Sequence, residues 1–186
     1  MNEREKEILR ECQGGNTSRF GLLYEDYVRR VYRFIYFKTL HRETAEDLTS
    51  DVFFRALKHI RRVDPERGLA SWLYRIAQNA VIDYFRTRKL GRNIEDIWDL
   101  ADGNDFIDHL DDARTFEKAR EHLSALTPVQ RAIVVMRIWE EMSYKEIAEI
   151  VGKSETNCKV LFFRALTAVR SEMLLPLLVL LFGNVR

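Results

Sequence analysis

The chain has 186 residues, enough for one large domain or two small ones. Apolar residues make up 46% of it and only three prolines and eight glycines interrupt it, which favours a packed all-α fold over a turn-rich β fold. The formal net charge of +1 gives little sign of a nucleic-acid partner, and Cys12 and Cys158 are too far apart to indicate a metal-spaced cluster or a disulfide framework.

The N-terminus is charged and lacks the apolar stretch of a signal peptide. No window approaches the ~18–20 apolar residues that a membrane-spanning helix requires. We therefore expect a protein of the reducing cytosol with no membrane span.

Helical periodicity defines a first block that ends near Leu90. Its first helix carries one apolar stripe, made of Phe20, Leu23, Tyr24, Tyr27, Val31, Phe34 and Ile35. A second helix is predicted to open at Thr44, with Thr44 as its N-cap and Asp47 completing a capping box. A loop is predicted from Arg61 to Gly68, and a third helix from about Ala70 to Leu90.

The middle of the chain, from Gly91 to Phe116, is strongly acidic and has few periodic apolar positions. Its acids are Glu95, Asp96, Asp99, Asp102, Asp105, Asp108, Asp111 and Asp112. Only Arg92 and Arg114 oppose them, so the pattern predicts a flexible, extended or partly ordered linker.

A second helical block follows, from about Glu117 to Met173. Thr127 before Pro128 marks a helix start, and Ser143 with Glu146 forms a capping box. Gly152 stands where the short helix should stop, and Ser154 caps a last helix that runs to Arg170. The pattern predicts a helix-turn-helix.

The last helix combines an expected packing face with a polar face. The packing prediction places Ile147, Ala148 and Val151 against Val160, Phe163 and Ala168. Thr156, Asn157, Lys159 and Arg164 lie near one face, flanked by Lys153 and Arg170, and such residues read base edges or grip phosphates. An ordinary helical hairpin is the alternative, but the caps, the glycine stop and the basic face coincide, which favours DNA binding.

Two further faces have both a functional and a structural interpretation. Arg86, Arg88 and Lys89 are interleaved with aromatic residues, as in sites for single-stranded DNA, although a helix end also favours such cations. Glu46, Asp47 and Asp51, followed by Arg55 and Lys58, form either a solvated face or a docking face for a basic partner.

Motifs of catalysis are absent from the sequence: it has no Walker-type glycine loop, no G-x-S-x-G and no HExxH. The four histidines are scattered without ligand spacing. We therefore expect no enzyme, no metal site and no cofactor.

Two stretches of the sequence have a recognisable pattern. The first is AEDLTSDVFFRALKHI (Ala45–Ile60) followed by ASWLYRIAQNAVIDYFRTRK (Ala70–Lys89), and the second runs from Leu126 to Ala165. The first resembles region two and the second region four of the extracytoplasmic-function (ECF) sigma factors. The resemblance implies a polymerase subunit that confers promoter specificity and assists promoter opening, and that is held inactive by an anti-sigma factor, in some cases at the inner membrane.

The resemblance also implies residue roles. Docking on the clamp helices of the largest polymerase subunit would use Glu46, Asp47, Leu48, Asp51, Phe54 and Arg55. The melted minus-ten element would contact Arg61, Arg62, Arg67, Trp72, Arg75, Asn79, Arg86, Arg88 and Lys89. The minus-thirty-five duplex would contact Lys153, Ser154, Thr156, Asn157, Lys159, Val160, Phe163 and Arg164, while this domain also meets the flap of the second-largest subunit.

This gives a domain division into 1–90 (region two), 91–116 (acidic linker), 117–173 (region four) and 174–186 (apolar tail). The chain departs from the family's pattern in two places: Ser50-Asp51 stands where members often carry Gln-Glu, and Val160-Leu161 where they carry a small or basic pair. The apolar tail Met173–Phe182 is expected to pack on the second domain or to bind a partner.

Two other classes of function remain open from the residues alone. One is a stand-alone helix-turn-helix regulator that binds paired half-sites, with a first block that senses a ligand or dimerises. The other is a helical adaptor that binds only proteins.

Overall fold

The computed structural model describes residues 3–64, 68–89 and 123–169, and every regular element in these ranges is helical. The chain divides into two compact units, one formed by residues 1–36 and 43–99, the other by residues 37–42 and 100–186. The predicted all-α, two-domain architecture is confirmed. The exact domain bounds stay a prediction.

The N-terminal unit is built on four helices. They are α1 (Glu3–Gln13), α2 (Phe20–Thr39), α3 (Arg42–His59) and α4 (Leu69–Lys89). Short 3-10 turns at Thr17–Arg19 and Ile60–Arg62 precede α2 and follow α3. The predicted apolar stripe of α2 is buried in the core except for Tyr24, which is partly exposed and packs edge-on against the Phe53 ring with centroids 4.9 Å apart.

Helix α1 was not predicted from the sequence, because its many charges hide a short apolar face. Ile8, Leu9 and Cys12 lie on that face and are fully buried. The Tyr27 hydroxyl of α2 donates to Glu5 Oε1 of α1 at 2.9 Å. Burial raises the pKa of the Tyr27 phenol. Helix α1 is therefore an integral part of the N-terminal core.

The predicted start of the second helix at Thr44 was wrong. Helix α3 begins at Arg42, so Thr44 lies within its first turn, where its side chain is buried. Its Oγ1 lies 3.1 Å from the Tyr84 hydroxyl of α4. Thr44 therefore links α3 to α4. A threonine hydroxyl can form a tertiary hydrogen bond as readily as it can cap a helix, and here it forms the tertiary bond.

The C-terminal unit contains α5 (Pro128–Ile138), α6 (Tyr144–Val151) and α7 (Glu155–Val169). The predicted start signals are confirmed by geometry. Thr127 and Ser143 each accept from the backbone N–H three residues on and complete reciprocal capping boxes. Gly152 ends α6 in the left-handed conformation (φ 66°, ψ 40°), and Ser154 Oγ accepts from the Asn157 N–H at 3.2 Å.

Helices α6 and α7 form the predicted helix-turn-helix, but the packing face of α7 differs from the prediction. Cys158 and Ala165 are fully buried, whereas Val160, Phe163 and Ala168 are exposed. The predicted packing of these three residues was wrong: with 3.6 residues per turn, the face that carries Cys158 and Ala165 leaves Val160 on the opposite side. Burial also raises the pKa of the Cys158 thiol.

Several predicted features lie outside the described residues. They are the acidic linker, the apolar tail and Arg67. Arg88 and Lys89 fall within α4, and their side chains lie outside the described part of the structure.

Candidate functional site

One face of α3 presents an apolar patch with acidic residues before it and the exposed Lys58 after it. Phe54 is 68% exposed, which makes it the most exposed large apolar side chain in the described part of the chain, and Leu57 beside it is 38% exposed. Asp47 is exposed on the same face, and Glu46 and Leu48 are half-buried. An exposed phenylalanine beside carboxylates has the composition of a docking surface, since solvent exposure of its ring is unfavourable in isolation.

Asp51 and Arg55 on α3 form a two-pronged ion pair. Arg55 Nε donates to Asp51 Oδ1 at 2.9 Å, and Arg55 Nη2 lies 2.7 Å from Asp51 Oδ2. Both side chains are more than a third exposed, so the pair adds little to stability. It does orient both groups, and the carboxylate of Asp51 is partly neutralised before any partner arrives.

A single exposed stripe runs along α4. Arg75, Asn79, Ile82 and Arg86 follow one another at intervals of four, three and four residues, which places them on one helical face. All four are exposed, and the half-buried Trp72 begins the stripe. The predicted minus-ten residues on α4 whose side chains are described are therefore brought together on this face.

The turn after α3 carries two more of the predicted cations. Arg61 and Arg62 are exposed on the 3-10 turn Ile60–Arg62. The Gln13 side chain of α1 fastens this turn: its Nε2 donates to the Val63 carbonyl at 2.7 Å and to the Ile60 carbonyl at 3.3 Å. Sequence reasoning missed Gln13, since no local pattern links residues so far apart in the chain.

The outward face of α7 is more apolar than the prediction implied. Thr156, Val160, Phe163 and Thr167 form its central stripe, and all four are exposed. Asn157 and Arg164 flank the stripe on one side, and Lys159 flanks it on the other. Lys153 and Ser154 are exposed just before the helix begins, so the eight predicted residues of this surface lie on one side of the motif or at its entrance.

Two contacts within the C-terminal unit fix the position of the Lys159 ammonium group. Lys159 Nζ lies 2.8 Å from Glu155 Oε1 and 5.7 Å from the centroid of the Tyr144 ring. The same ring carries the Arg137 guanidinium 5.0 Å from its centroid. Lys159 is thereby drawn to the flank of α7, which leaves Val160 at the centre of the exposed face.

Three residues on these surfaces were missed by the sequence analysis. Ile82 is 49% exposed within the α4 stripe, Leu57 extends the Phe54 patch, and Thr167 ends the α7 stripe. All three lie one helical turn after a predicted residue, so the helical repeat could have identified them. Ile82 lies three residues after Asn79, Leu57 three after Phe54, and Thr167 four after Phe163.

Comparison with known proteins decides the family. The Sigma-70 region 2 model matches residues 23–90, and the Sigma-70 region 4 model matches residues 116–169. SigM of Bacillus subtilis, an ECF RNA polymerase sigma factor, is 33% identical over 147 residues, which cover 77% of this chain and 88% of SigM. The chain belongs to the ECF sigma factors.

Another relative of this sigma factor is BldN of Streptomyces coelicolor, which is 32% identical over 168 residues. That alignment covers 86% of this chain and 62% of BldN, so the chain spans less than two thirds of that relative. The predicted recognition of the family from its region-two and region-four motifs is confirmed.

Solved structures show the same fold. CnrH, in complex with the cytosolic domain of CnrY, superposes with a TM-score of 0.66 at 19% identity, covering 89% of this chain and 94% of CnrH. RpoE of Bartonella quintana, in complex with the anti-sigma factor NepR, gives 0.64 at 22% identity, covering 81% and 94%. Among the described residues of this sigma factor, no helix is long and apolar enough to cross a membrane.

Proposed function

We propose that this sigma factor directs core RNA polymerase to its promoters through three surfaces, one on α3 and the others on α4 and α7. The observation that carries the proposal is the exposed Phe54 on the acidic face of α3. Its burial against the clamp helices of the largest subunit would remove a large apolar area from water, while Asp47 meets basic side chains at the rim.

The two DNA surfaces divide the promoter between them. The α4 stripe, together with Arg61 and Arg62, combines cations with Trp72 and Asn79 and suits the unpaired bases of the minus-ten element. The α7 face suits the major groove of the minus-thirty-five duplex, with α6 across the backbone. The flap of the second-largest subunit is the expected polymerase contact of this second unit.

Regulation by an anti-sigma factor is part of the proposal. RpoE, which shares the fold, was solved with its anti-sigma factor NepR. An anti-sigma factor that covers Phe54 or the α7 face would block polymerase or promoter directly. We further propose that the protein acts in the cytoplasm. In the resting state an anti-sigma factor would hold it inactive, in some cells at the inner membrane. We also propose that it catalyses no reaction of its own.

Gel-shift titration separates this function from that of a stand-alone regulator. Labelled genomic fragments are mixed with the full chain alone, with core polymerase alone, and with both. We expect sequence-specific retention only in the third mixture, since the α4 surface suits unpaired bases and the α7 face carries few cations for binding duplex DNA alone. Specific retention by the chain alone would favour the regulator, and no retention in any mixture would favour a protein-binding adaptor.

A further inference from the structure

The exposed centre of α7 is apolar at a position where DNA-reading helices usually carry polar groups. Val160 is 42% exposed and Phe163 is 62% exposed, one turn apart on the same face. The buried residues of α7 are Cys158 and Ala165 on the opposite side, so packing within the unit does not require an apolar residue at Val160. The Phe163 ring does contact the Phe162 ring edge-on, with centroids 6.0 Å apart.

A threonine stands at each end of the stripe. Thr167 Oγ1 donates to the Phe163 carbonyl at 2.9 Å, so this hydroxyl is engaged within the helix. Thr156, one turn before Val160, is exposed and offers both a hydroxyl and a methyl group. The centre of the face therefore offers methyl and ring surface, and the polar groups of Asn157, Lys159 and Arg164 lie at its margins.

Charge around this stripe favours DNA over a protein as its occupant. Lys153 precedes the helix, and Lys159 and Arg164 stand on opposite flanks of the stripe, all of them exposed. Glu155 partly offsets the charge of Lys159, with which it forms an ion pair at 2.8 Å. An apolar strip bordered by cations fits the major groove, where phosphates lie at the rims and base edges at the floor. Among base edges in that groove, the C5 methyl of thymine is the apolar group.

We propose that Val160 reads the methyl group of one thymine in the minus-thirty-five element, with Phe163 extending the contact. The inference rests on the proposed function, because it requires α7 to enter the major groove. Specificity at this base pair then comes from apolar contact, and the adjoining positions are read by the polar residues at the margins.

Deoxyuridine substitution tests the inference, since uracil keeps the pairing and groove hydrogen bonds of thymine and lacks only the methyl group. Duplexes are first selected from a randomised upstream region with the full chain bound to core polymerase. Each thymine of the selected element is then replaced singly by deoxyuridine. We expect one position at which the substitution weakens wild-type holoenzyme binding about fourfold, the effect of one buried methyl group.

Two variants assign the effect to Val160. Val160→Ser should bind the thymine and deoxyuridine duplexes equally, at the wild-type affinity for the deoxyuridine duplex. Ala168→Ser, an equally small change at an exposed α7 position off the stripe, should keep the fourfold penalty. Circular dichroism establishes that each variant is folded, and the wild-type deoxyuridine scan tests the inference without any variant.

The outcomes separate this inference from the function on which it rests. A selected upstream element in which no thymine is sensitive to deoxyuridine overturns the inference and leaves the sigma function standing. If Val160→Ser still binds the deoxyuridine duplex about fourfold more weakly than the thymine duplex, the inference is also overturned, because another residue then reads the methyl group. Selection of no upstream element at all removes both the inference and the proposed role of α7.

Discussion

Gln13 Nε2 donates to the carbonyl oxygen of Val63 at 2.7 Å and so ties the end of α1 to the turn that follows α3. The two residues are 50 positions apart in the chain. This turn presents Arg61 and Arg62. The N-terminal helix therefore helps to hold in place the turn that presents these two cations.

Gln13→Ala should lower the free energy of unfolding by about 1–2 kcal/mol, because two partly buried carbonyls lose their donor. Urea unfolding followed by circular dichroism measures the change. Glu7→Ala, at an exposed position on the same helix, is the control and should stay within about 0.5 kcal/mol of the wild type. Equal midpoints for Gln13→Ala and the wild type would show that the bond to Val63 adds nothing.

Asn79→Ala should impair promoter opening while core binding stays intact. Asn79 is exposed at the centre of the α4 stripe, so its amide is available to an unpaired base. Permanganate reactivity of the minus-ten thymines should fall roughly twofold to tenfold, the effect of one hydrogen bond worth about 0.5–1.5 kcal/mol. Thr87→Ala, exposed on α4 but off the stripe, should open promoters normally. Equal loss of opening and core binding would show that Asn79 is structural.

Phe54→Ser should weaken binding to core polymerase about tenfold or more, because burial of a phenylalanine side chain is worth about 1.5–3 kcal/mol. Fluorescence anisotropy of labelled chain titrated with core measures this affinity. Phe163→Ser makes the same change at a similarly exposed phenylalanine on α7 and should alter promoter selection instead. The docking assignment of Phe54 fails if the two variants bind core equally well.

Gly152→Ala should destabilise the C-terminal unit by about 1–2 kcal/mol. A Cβ at Gly152 meets nothing within 4 Å, so the cost comes entirely from its left-handed φ of +66°. Gly21→Ala is the matched control: its Cβ also meets nothing, but Gly21 lies in the first turn of α2, where alanine should stabilise by up to about 0.5 kcal/mol. Thermal unfolding that shifts in the same direction for both variants would contradict the conformational argument.

Local signals made much of the fold predictable. The helix start at Thr127, the capping box at Ser143 and the helix stop at Gly152 depend on neighbours within four residues, and each is found where it was predicted. Thr44 shows the limit of such signals. Its sequence context is that of an N-cap, but its hydroxyl lies next to Tyr84, 40 residues away, and the helix begins earlier.

The orientation of α7 was the least predictable part of the candidate site. Val160 and Cys158 are both apolar and two residues apart, so periodicity alone does not decide which of them faces the core. Packing against α5 and α6 decides it, and Cys158 is buried while Val160 is exposed. Burial of α1 likewise depends on tertiary contacts, since its short apolar face is surrounded by charges in the sequence.

Transcription in vitro with purified core polymerase tests the central claim most directly. The template is a genomic library, and transcripts are compared with and without the full chain. We predict discrete start sites that require the chain, share upstream and minus-ten elements, and disappear with Phe54→Ser. An identical set of transcripts with and without the wild-type chain would contradict the assignment of promoter selection to this protein.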